Sequence, residues 1–167
     1  MTPADVITVT RNHASSIAAT LEAVVAQTLA PARVVVVDNA SSDGSLAVAE
    51  RFRGRFPLEV IANRENLGFS VAANAGLRAG AAPWVLCLNP DCRLEPSYLE
   101  RLVAAAERHG AGSATGLLLR ARGPELEADG AVDSAGMVVF ASGRHLDRCS
   151  GRRLPAPPPP AWVFGAS

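Results

Sequence analysis

The chain contains no lysine: all 16 of its basic residues are arginine, and 16 acidic residues balance them. A Walker-type phosphate-binding loop requires lysine, so that class of nucleotide site is excluded. The net charge is zero and no run of like charge occurs, which argues against a nucleic-acid groove or an anionic membrane surface as the partner. The chain could still bind a small anionic ligand, because such a site needs only a few polar or positively charged groups.

Cysteine is scarce and long apolar runs are missing. The three cysteines show no paired C-x-x-C spacing, so neither a disulfide framework nor a zinc site is predicted. The three histidines also stand apart without ligand spacing. No segment combines a basic start with an apolar stretch, and no run of about 20 apolar residues occurs. We therefore expect a soluble, cytoplasmic protein with reduced thiols.

What the sequence does contain is a regular alternation of short apolar strands and helical segments. Strands are predicted at residues 6–9, 34–37, 58–61 and 85–88, and helical spacing follows each of them, at residues 17–29, 44–53, 69–78 and 96–109. Gly76 weakens the third of these helices. This alternation predicts an α/β fold with a mostly parallel, Rossmann-like sheet that carries helices on both faces.

The last third of the chain changes character. A strand is predicted at residues 114–119, followed by a stretch rich in glycine and arginine with a hairpin around residues 136–140. Residues 154–160 form a polyproline-like spacer, and residues 162–167 look like the start of an apolar strand. Because a domain seldom ends by entering its core, we expect a truncated chain that lacks its C-terminal part.

The segment Asn89-Pro90-Asp91 follows a buried strand, where open α/β sheets bind ligands. Asp91 offers a carboxylate and Asn89 a neutral oxygen, and Mg²⁺ is usually held by one or two carboxylates together with the phosphates of a substrate. The alternative is a solvated turn that caps the next helix, since Asn-Pro-Asp is also favourable turn chemistry.

Two further polar segments follow strands. After residues 34–37 comes Asp38-Asn39-Ala40-Ser41-Ser42-Asp43-Gly44, in which Asp38 is expected to contact a base or ribose while Ser42 or Asp43 caps the next helix. Residues 63–74 are rich in amides around a helix start, which suits a phosphate. A capped surface loop is an equally good interpretation of that composition.

Together these segments resemble the inverting family 2 glycosyltransferases, and more narrowly their bacterial rhamnosyltransferase branch. The resemblance rests on Thr10-Arg11-Asn12, the segment from Val37 to Gly44, the segment from Asn63 to Phe69 with Asn74 and Gly76, and Leu88-Asn89-Pro90-Asp91, which occur in the order of the family. It covers residues 5–110 strongly and implies the glycosyltransferase A-type fold.

The resemblance implies a nucleotide-diphosphate-sugar donor, Mg²⁺ or Mn²⁺ on Asp91, and direct displacement by a hydroxyl of a saccharide or lipid-linked acceptor. Residues 1–120 would be the donor-binding domain, and residues 121–167 would lead into an acceptor-binding half. The general base is expected beyond Ser167, so the fragment itself would bind the donor without turnover. The full-length protein would act in the cytoplasm, with peripheral association at the inner membrane face. The donor-binding candidates are Thr10, Asn12, Asp38, Asn39, Ser41, Asn66, Gly68, Asn74 and Asn89.

Three other functions fit the sequence less well. A nucleotidyltransferase that makes the sugar nucleotide would carry a glycine-rich loop with arginine and lysine after the first strand, where this chain has Thr10-Arg11-Asn12-His13-Ala14. A non-catalytic nucleotide-sugar-binding fragment is the second alternative. A G-x-S-x-G hydrolase is remote, because Gly165-Ala166-Ser167 only begins that motif.

Overall fold

A computed structural model of the chain describes residues 1–153. The chain divides into two compact units, one of residues 1–103 and 124–126 and the other of residues 104–123 and 127 onward. Strands and helices alternate as predicted until α4, after which only strands follow. In chain order the elements are β1 (Ala4–Thr10), α1 (Ile17–Val25), β2 (Arg33–Asp38), α2 (Ser45–Glu50), β3 (Leu58–Ala62), α3 (Phe69–Ala79), β4 (Trp84–Cys87), α4 (Tyr98–Arg108), β5 (Leu118–Arg122), β6 (Glu127–Ser134), β7 (Met137–Val139) and β8 (His145–Asp147).

The first unit is built on a four-stranded parallel sheet. Its strand order is β3-β2-β1-β4, and every neighbouring pair is parallel. The chain therefore runs outward from β1 to β3 and then crosses back to the other side of β1. Because parallel strands need crossover connections, each pair of consecutive strands is joined through a helix. The predicted α/β fold class is confirmed.

Helices cover both faces of this sheet. Along β2, Val34 and Val36 pack into one core, whereas Val35 and Val37 pack into another, as the two-residue period of a strand requires. The first core receives side chains from α1, α2 and α4, and the second receives Ala72 of α3. With both faces covered, the strands can be continuous apolar runs, which is how they appear in the sequence.

The second unit contains two antiparallel pairs, β5 with β6 and β7 with β8. The predicted hairpin around residues 136–140 is present as β7 and β8. Its turn is closed by a 2.8 Å hydrogen bond from Gly143 N to Phe140 O, and Gly143 has the positive φ that favours glycine.

The predicted strand at residues 114–119 was wrong at its start. The strand β5 begins only at Leu118 and runs on to Arg122. Residues 112–116 are Gly-Ser-Ala-Thr-Gly, which contribute little apolar surface, and four of the five are exposed. Strand β6 was not predicted at all, since Gly130 and three acidic residues obscure its alternation. The predictions for residues 154–160 and 162–167 lie outside the described residues, and the division of roles at residue 120 stays a prediction.

Candidate functional site

Three of the predicted ligand-binding segments lie at one edge of the sheet. Thr10 ends β1, Asp38 ends β2, and Asn89 follows β4, and parallel strands bring their carboxyl ends to the same edge. The ladder continues past β4, because Leu88 N donates to Ile7 O at 2.9 Å. Strand order places β1 between the other two, so the ends of β2 and β4 are about 10 Å apart across it.

Thr10 and Asp38 are register partners at this edge and share a buried environment. Their exposed fractions are 0% and 2%. Asp38 Oδ2 accepts a hydrogen bond from Ser41 N at 3.0 Å, but Asp38 Oδ1 and Thr10 Oγ1 are buried without a partner among the described residues. Buried polar atoms are nearly always paired in folded proteins, so two unpaired oxygens side by side are what a site for a ligand with N–H or O–H groups would leave.

The loops that follow β1 and β2 are tied to each other through Asn12. Its backbone N donates to Ser41 Oγ at 3.0 Å, and its side-chain Oδ1 accepts from Ser42 N at 2.8 Å. Asn12 has φ of 61°, a left-handed conformation that asparagine tolerates better than most residues. The side chains of Asn12 and Ser41 are therefore engaged in shaping the edge rather than left free.

Asp43 makes a second tie between these loops. Its Oδ2 accepts from Ala14 N at 2.9 Å, and its Oδ1 accepts from Ser45 N at 3.0 Å at the start of α2. Asp43 thus accepts from the first backbone N–H of α2, but the N-cap residue of that helix is Gly44, not the predicted Ser42 or Asp43. The hydrogen bond from the Ser45 hydroxyl, followed by that from Ala14 N, lowers the pKa of Asp43 from 3.8 to about 2.

Asn39 faces the opposite side of the sheet from Asp38 and organises the loop before α3. Its Nδ2 donates to Asn66 Oδ1 at 2.7 Å and to Gly68 O at 3.3 Å. Its Oδ1 accepts from Asn63 Nδ2 at 3.1 Å and from Leu67 N at 3.0 Å. An amide has two protons to donate and two lone pairs, so these four bonds use the full capacity of Asn39.

The start of α3 is shaped by this loop. Gly68 is the N-cap residue with φ of 79°, and its N donates to Asn66 Oδ1 at 3.1 Å. Asn74 is exposed on α3, six residues after Gly68 and so about 9 Å along the helix axis. Asn66 and Gly68, in the loop before α3, therefore contact Asn39 at the end of β2. Asn74 lies further along α3, away from these contacts. The ligand-binding roles of these residues stay predictions.

The Asn89-Pro90-Asp91 turn is exposed at both ends and buried in the middle. Asn89 and Asp91 are exposed, while Pro90 is buried against α1. The Pro90 carbonyl accepts hydrogen bonds from Thr20 Oγ1 at 2.9 Å and Ser16 Oγ at 3.1 Å. Neither hydroxyl residue was predicted from the sequence to contribute to the site. The available signal was a threonine four residues before Val24, on the apolar stripe of α1.

The donor groups at this turn suit a hard divalent cation that is shared with a ligand. Asp91 supplies an exposed carboxylate and Asn89 an amide oxygen. Within residues 1–153 no group of three or more His, Cys, Asp or Glu side chains could enclose a metal. Mg²⁺ commonly keeps several waters and takes its other ligands from phosphates. The residues fit a cation of that kind and do not fit a closed structural metal centre.

With this geometry established, comparison with known proteins assigns the chain to a family. Residues 5–133 match the family described as "Glycosyl transferase family 2". The chain belongs to this family. The match extends beyond the four motifs of the sequence and reaches into β6, well past the last strand of the parallel sheet.

Family 2 relatives include the N-acetylglucosaminyl-diphospho-decaprenol L-rhamnosyltransferase of Mycobacterium tuberculosis. This chain is 32% identical to it over 102 residues, which cover 54% of this chain and 32% of the relative. The chain thus spans about a third of the length of that protein. Among residues 1–153, none of the helices has the length and apolar character needed to cross a bilayer.

Two solved structures of similar proteins support the same fold. S. aureus TarS 1-349 in complex with UDP-GlcNAc has a TM-score of 0.60 and 26% identity, over 72% of this chain and 34% of the other. The mannosyltransferase PcManGT from Pyrobaculum calidifontis, in complex with GDP-Man and Mn²⁺, has a TM-score of 0.57 and 26% identity, over 72% and 36% of the two chains.

Proposed function

We propose that this chain is the donor-binding part of a glycosyltransferase that uses a nucleoside-diphosphate sugar and a divalent cation. One observation carries the proposal: Thr10 and Asp38 are register partners at the edge of the sheet that also carries Asp91, and each has a buried oxygen without a partner among the described residues. A nucleoside offers N–H and O–H groups to Thr10 and Asp38. A diphosphate with its cation suits Asp91. The nucleotide-sugar complexes of the structural neighbours support this choice of ligand.

In this proposal Asp38 accepts a hydrogen bond from the base or ribose, with Thr10 beside it. The cation bound by Asp91, with Asn89 as a neutral oxygen ligand, would neutralise the charge that grows on the diphosphate as it leaves. The manganese in the complex of the Pyrobaculum calidifontis mannosyltransferase supports a divalent ion, and either Mg²⁺ or Mn²⁺ suits oxygen ligands. Asn12, Ser41, Asn66 and Gly68 would shape the edge on which the nucleotide lies.

The finer assignments rest on the relatives. A deoxyhexose such as rhamnose, and a lipid-linked or polysaccharide acceptor, are proposed from the similarity to the mycobacterial rhamnosyltransferase. An inverting displacement at the anomeric carbon requires a general base for the acceptor hydroxyl. A lipid-linked acceptor would also bring the full-length protein to the inner membrane face.

Calorimetry with the chain as it stands tests the donor site. UDP, GDP and dTDP are titrated in turn with Mn²⁺, with Mg²⁺ and with a chelator. We expect one of them to bind more tightly with metal. Asp91→Asn should reduce that gain by about tenfold, since it removes the charged ligand of the cation. Asp38→Asn should weaken binding with and without metal.

Glu127→Gln, which removes an exposed charge from β6, is the matched control and should leave affinity unchanged. Failure of all three nucleotides to bind under every condition would overturn the donor site. Binding that is unaffected by Asp91→Asn would overturn the cation bridge alone. Substrate choice is then tested on the full-length protein by incubating it with dTDP-rhamnose, UDP-GlcNAc or GDP-mannose and a lipid-linked saccharide.

A further inference from the structure

The carbonyl of Pro90 accepts hydrogen bonds from two hydroxyl groups, one on helix α1 and one on its N-cap residue. Thr20 Oγ1 lies 2.9 Å from Pro90 O and 3.4 Å from Ser16 O, and its single proton is best placed for the shorter bond. Ser16 Oγ donates to the same carbonyl at 3.1 Å. Thr20 is fully buried and Ser16 is 8% exposed, so water does not compete for either bond.

Gln27, which follows α1, binds the far end of the segment between Pro90 and Leu99. Gln27 Nε2 donates to Glu95 O at 2.9 Å, and Gln27 Oε1 accepts from Leu99 N at 2.9 Å, near the start of α4. Ser16 is the N-cap residue of α1, Thr20 lies one turn further along the helix, and Gln27 follows the C-cap residue Ala26. Helix α1 and the residues that flank it therefore hold the segment between Pro90 and Leu99 at both ends.

Fixing the Pro90 carbonyl has a direct consequence for Asp91. A peptide unit is planar, so the Pro90 oxygen, the Asp91 nitrogen and the Asp91 Cα lie in one plane. The proline ring restricts φ of Pro90, and Pro90 in turn keeps Asn89 extended. With the oxygen also held by two hydroxyls, the starting point of the Asp91 side chain has little freedom left. Preorganisation of this kind determines how tightly a carboxylate binds its ligand.

We propose that Thr20, assisted by Ser16, is a positioning residue for the cation bound by Asp91. Thr20 touches neither the cation nor the nucleotide, and acts by orienting the peptide that carries the carboxylate. The inference rests on the proposed function, because it needs a cation at Asp91. It goes beyond that function by assigning part of the metal affinity to a buried hydroxyl on a helix outside the four sequence motifs.

The test measures the affinity for UDP, GDP and dTDP, with Mn²⁺ and with a chelator, in the wild-type chain and in Thr20→Val. Valine keeps the shape of threonine but leaves the Pro90 carbonyl with one donor fewer. We expect the manganese-dependent gain in affinity to fall by about three- to tenfold, the usual effect of losing one buried hydrogen bond. Affinity in the chelator should stay within about twofold, and Thr20→Ser should restore the gain, because serine keeps the hydroxyl.

Thr28→Val is the matched control, since it removes the hydroxyl hydrogen bond between Thr28 and Glu100 without touching Pro90. Circular dichroism establishes that each variant is folded, and Ser16→Ala replaces Thr20→Val if the latter does not fold. If the wild type shows a manganese-dependent gain in affinity and Thr20→Val shows the same gain, the inference is overturned. An equal loss with manganese and with chelator would also overturn it, as a structural defect. No manganese-dependent gain in the wild type would overturn the proposed cation site itself, and this inference with it.

Discussion

The side-chain amide of Asn39 donates to Asn66 Oδ1 at 2.7 Å and thereby joins the end of β2 to the loop before α3. Asp38, the preceding residue, points to the other face of the sheet, because side chains alternate along a strand. The two residues are adjacent in sequence but have different tasks. Asn39 uses its whole hydrogen-bonding capacity on the protein, whereas Asp38 has a buried oxygen, Oδ1, without a partner among the described residues, and we propose that this oxygen binds a ligand.

The first prediction concerns Asn39→Ala. This substitution removes four side-chain hydrogen bonds and leaves partners such as Leu67 N without this acceptor. We expect the free energy of unfolding to fall by about 2 to 3 kcal/mol, because several hydrogen bonds of about 0.5 to 1.5 kcal/mol each are lost together. Urea unfolding followed by circular dichroism measures the change. Asn74→Ala, which removes an exposed amide from α3, should change stability by less than about 0.5 kcal/mol. Equal effects of the two variants would refute the organising role of Asn39.

The sequence was sufficient to predict the parallel sheet and its covered faces. Four apolar runs such as Val34–Val37 could be recognised because a strand buried on both faces needs no polar positions. Thr10, Asp38 and Asn89 could be placed at one edge, because that follows from parallel pairing alone. The order of the strands fixed the rest of the geometry and was not predicted.

The distribution of tasks within the polar segments could not be read from the sequence. Asp38 and Asn39 look equally suited to a ligand, and only the alternation of faces and the position of Asn66 separate them. The role of Thr20 could not be predicted from the sequence for a related reason. A threonine on an apolar helix stripe is ordinary composition until its partner, Pro90, is known to lie 70 positions away in the sequence. Long-range partners of this kind depend on the tertiary fold.

A second prediction explains why a glycine interrupts α3. A Cβ at Gly76 would lie 2.5 Å from Ile7 Cγ2 and 3.2 Å from Val37 Cγ2. Alanine is the better helix former by about 0.5 to 1 kcal/mol, yet overpacking of this severity outweighs that gain. We expect Gly76→Ala to lower the free energy of unfolding by about 1 to 3 kcal/mol, measured by urea titration.

A double-mutant cycle separates this clash from other effects of the substitution. Ile7→Ala removes the γ-methyl group that the new Cβ would meet. If the clash is the cause, Gly76→Ala should be less harmful in the Ile7→Ala background than in the wild type. Additive losses would show that the close approach between α3 and β1 does not explain the glycine.

The third prediction follows from the low pKa of Asp43. Its folded value of about 2 lies below its ordinary value of 3.8, so the unfolded chain binds a proton more readily. The carboxylate therefore contributes stability above pH 3.8 that is lost as the pH falls toward 2. The stability difference between the wild type and Asp43→Asn should shrink across that interval. Urea unfolding at a series of pH values measures it, with Glu65→Gln as the control for loss of one charge. A difference that stays constant with pH would contradict the assignment.

The last prediction concerns the opposite edge of the sheet. Asp5 is 2% exposed, and its Oδ2 accepts from Ala81 N at 2.7 Å and Ala82 N at 2.9 Å in the turn before β4. Asp5→Ala leaves two backbone donors without this acceptor, so we expect a loss of about 2 to 3 kcal/mol in the free energy of unfolding. Because Asp5 lies near the amino end of β1, the nucleotide affinity of the folded variant should match that of the wild type. Calorimetry below the unfolding transition tests this, and a parallel loss of affinity would mean that the two edges of the sheet are coupled.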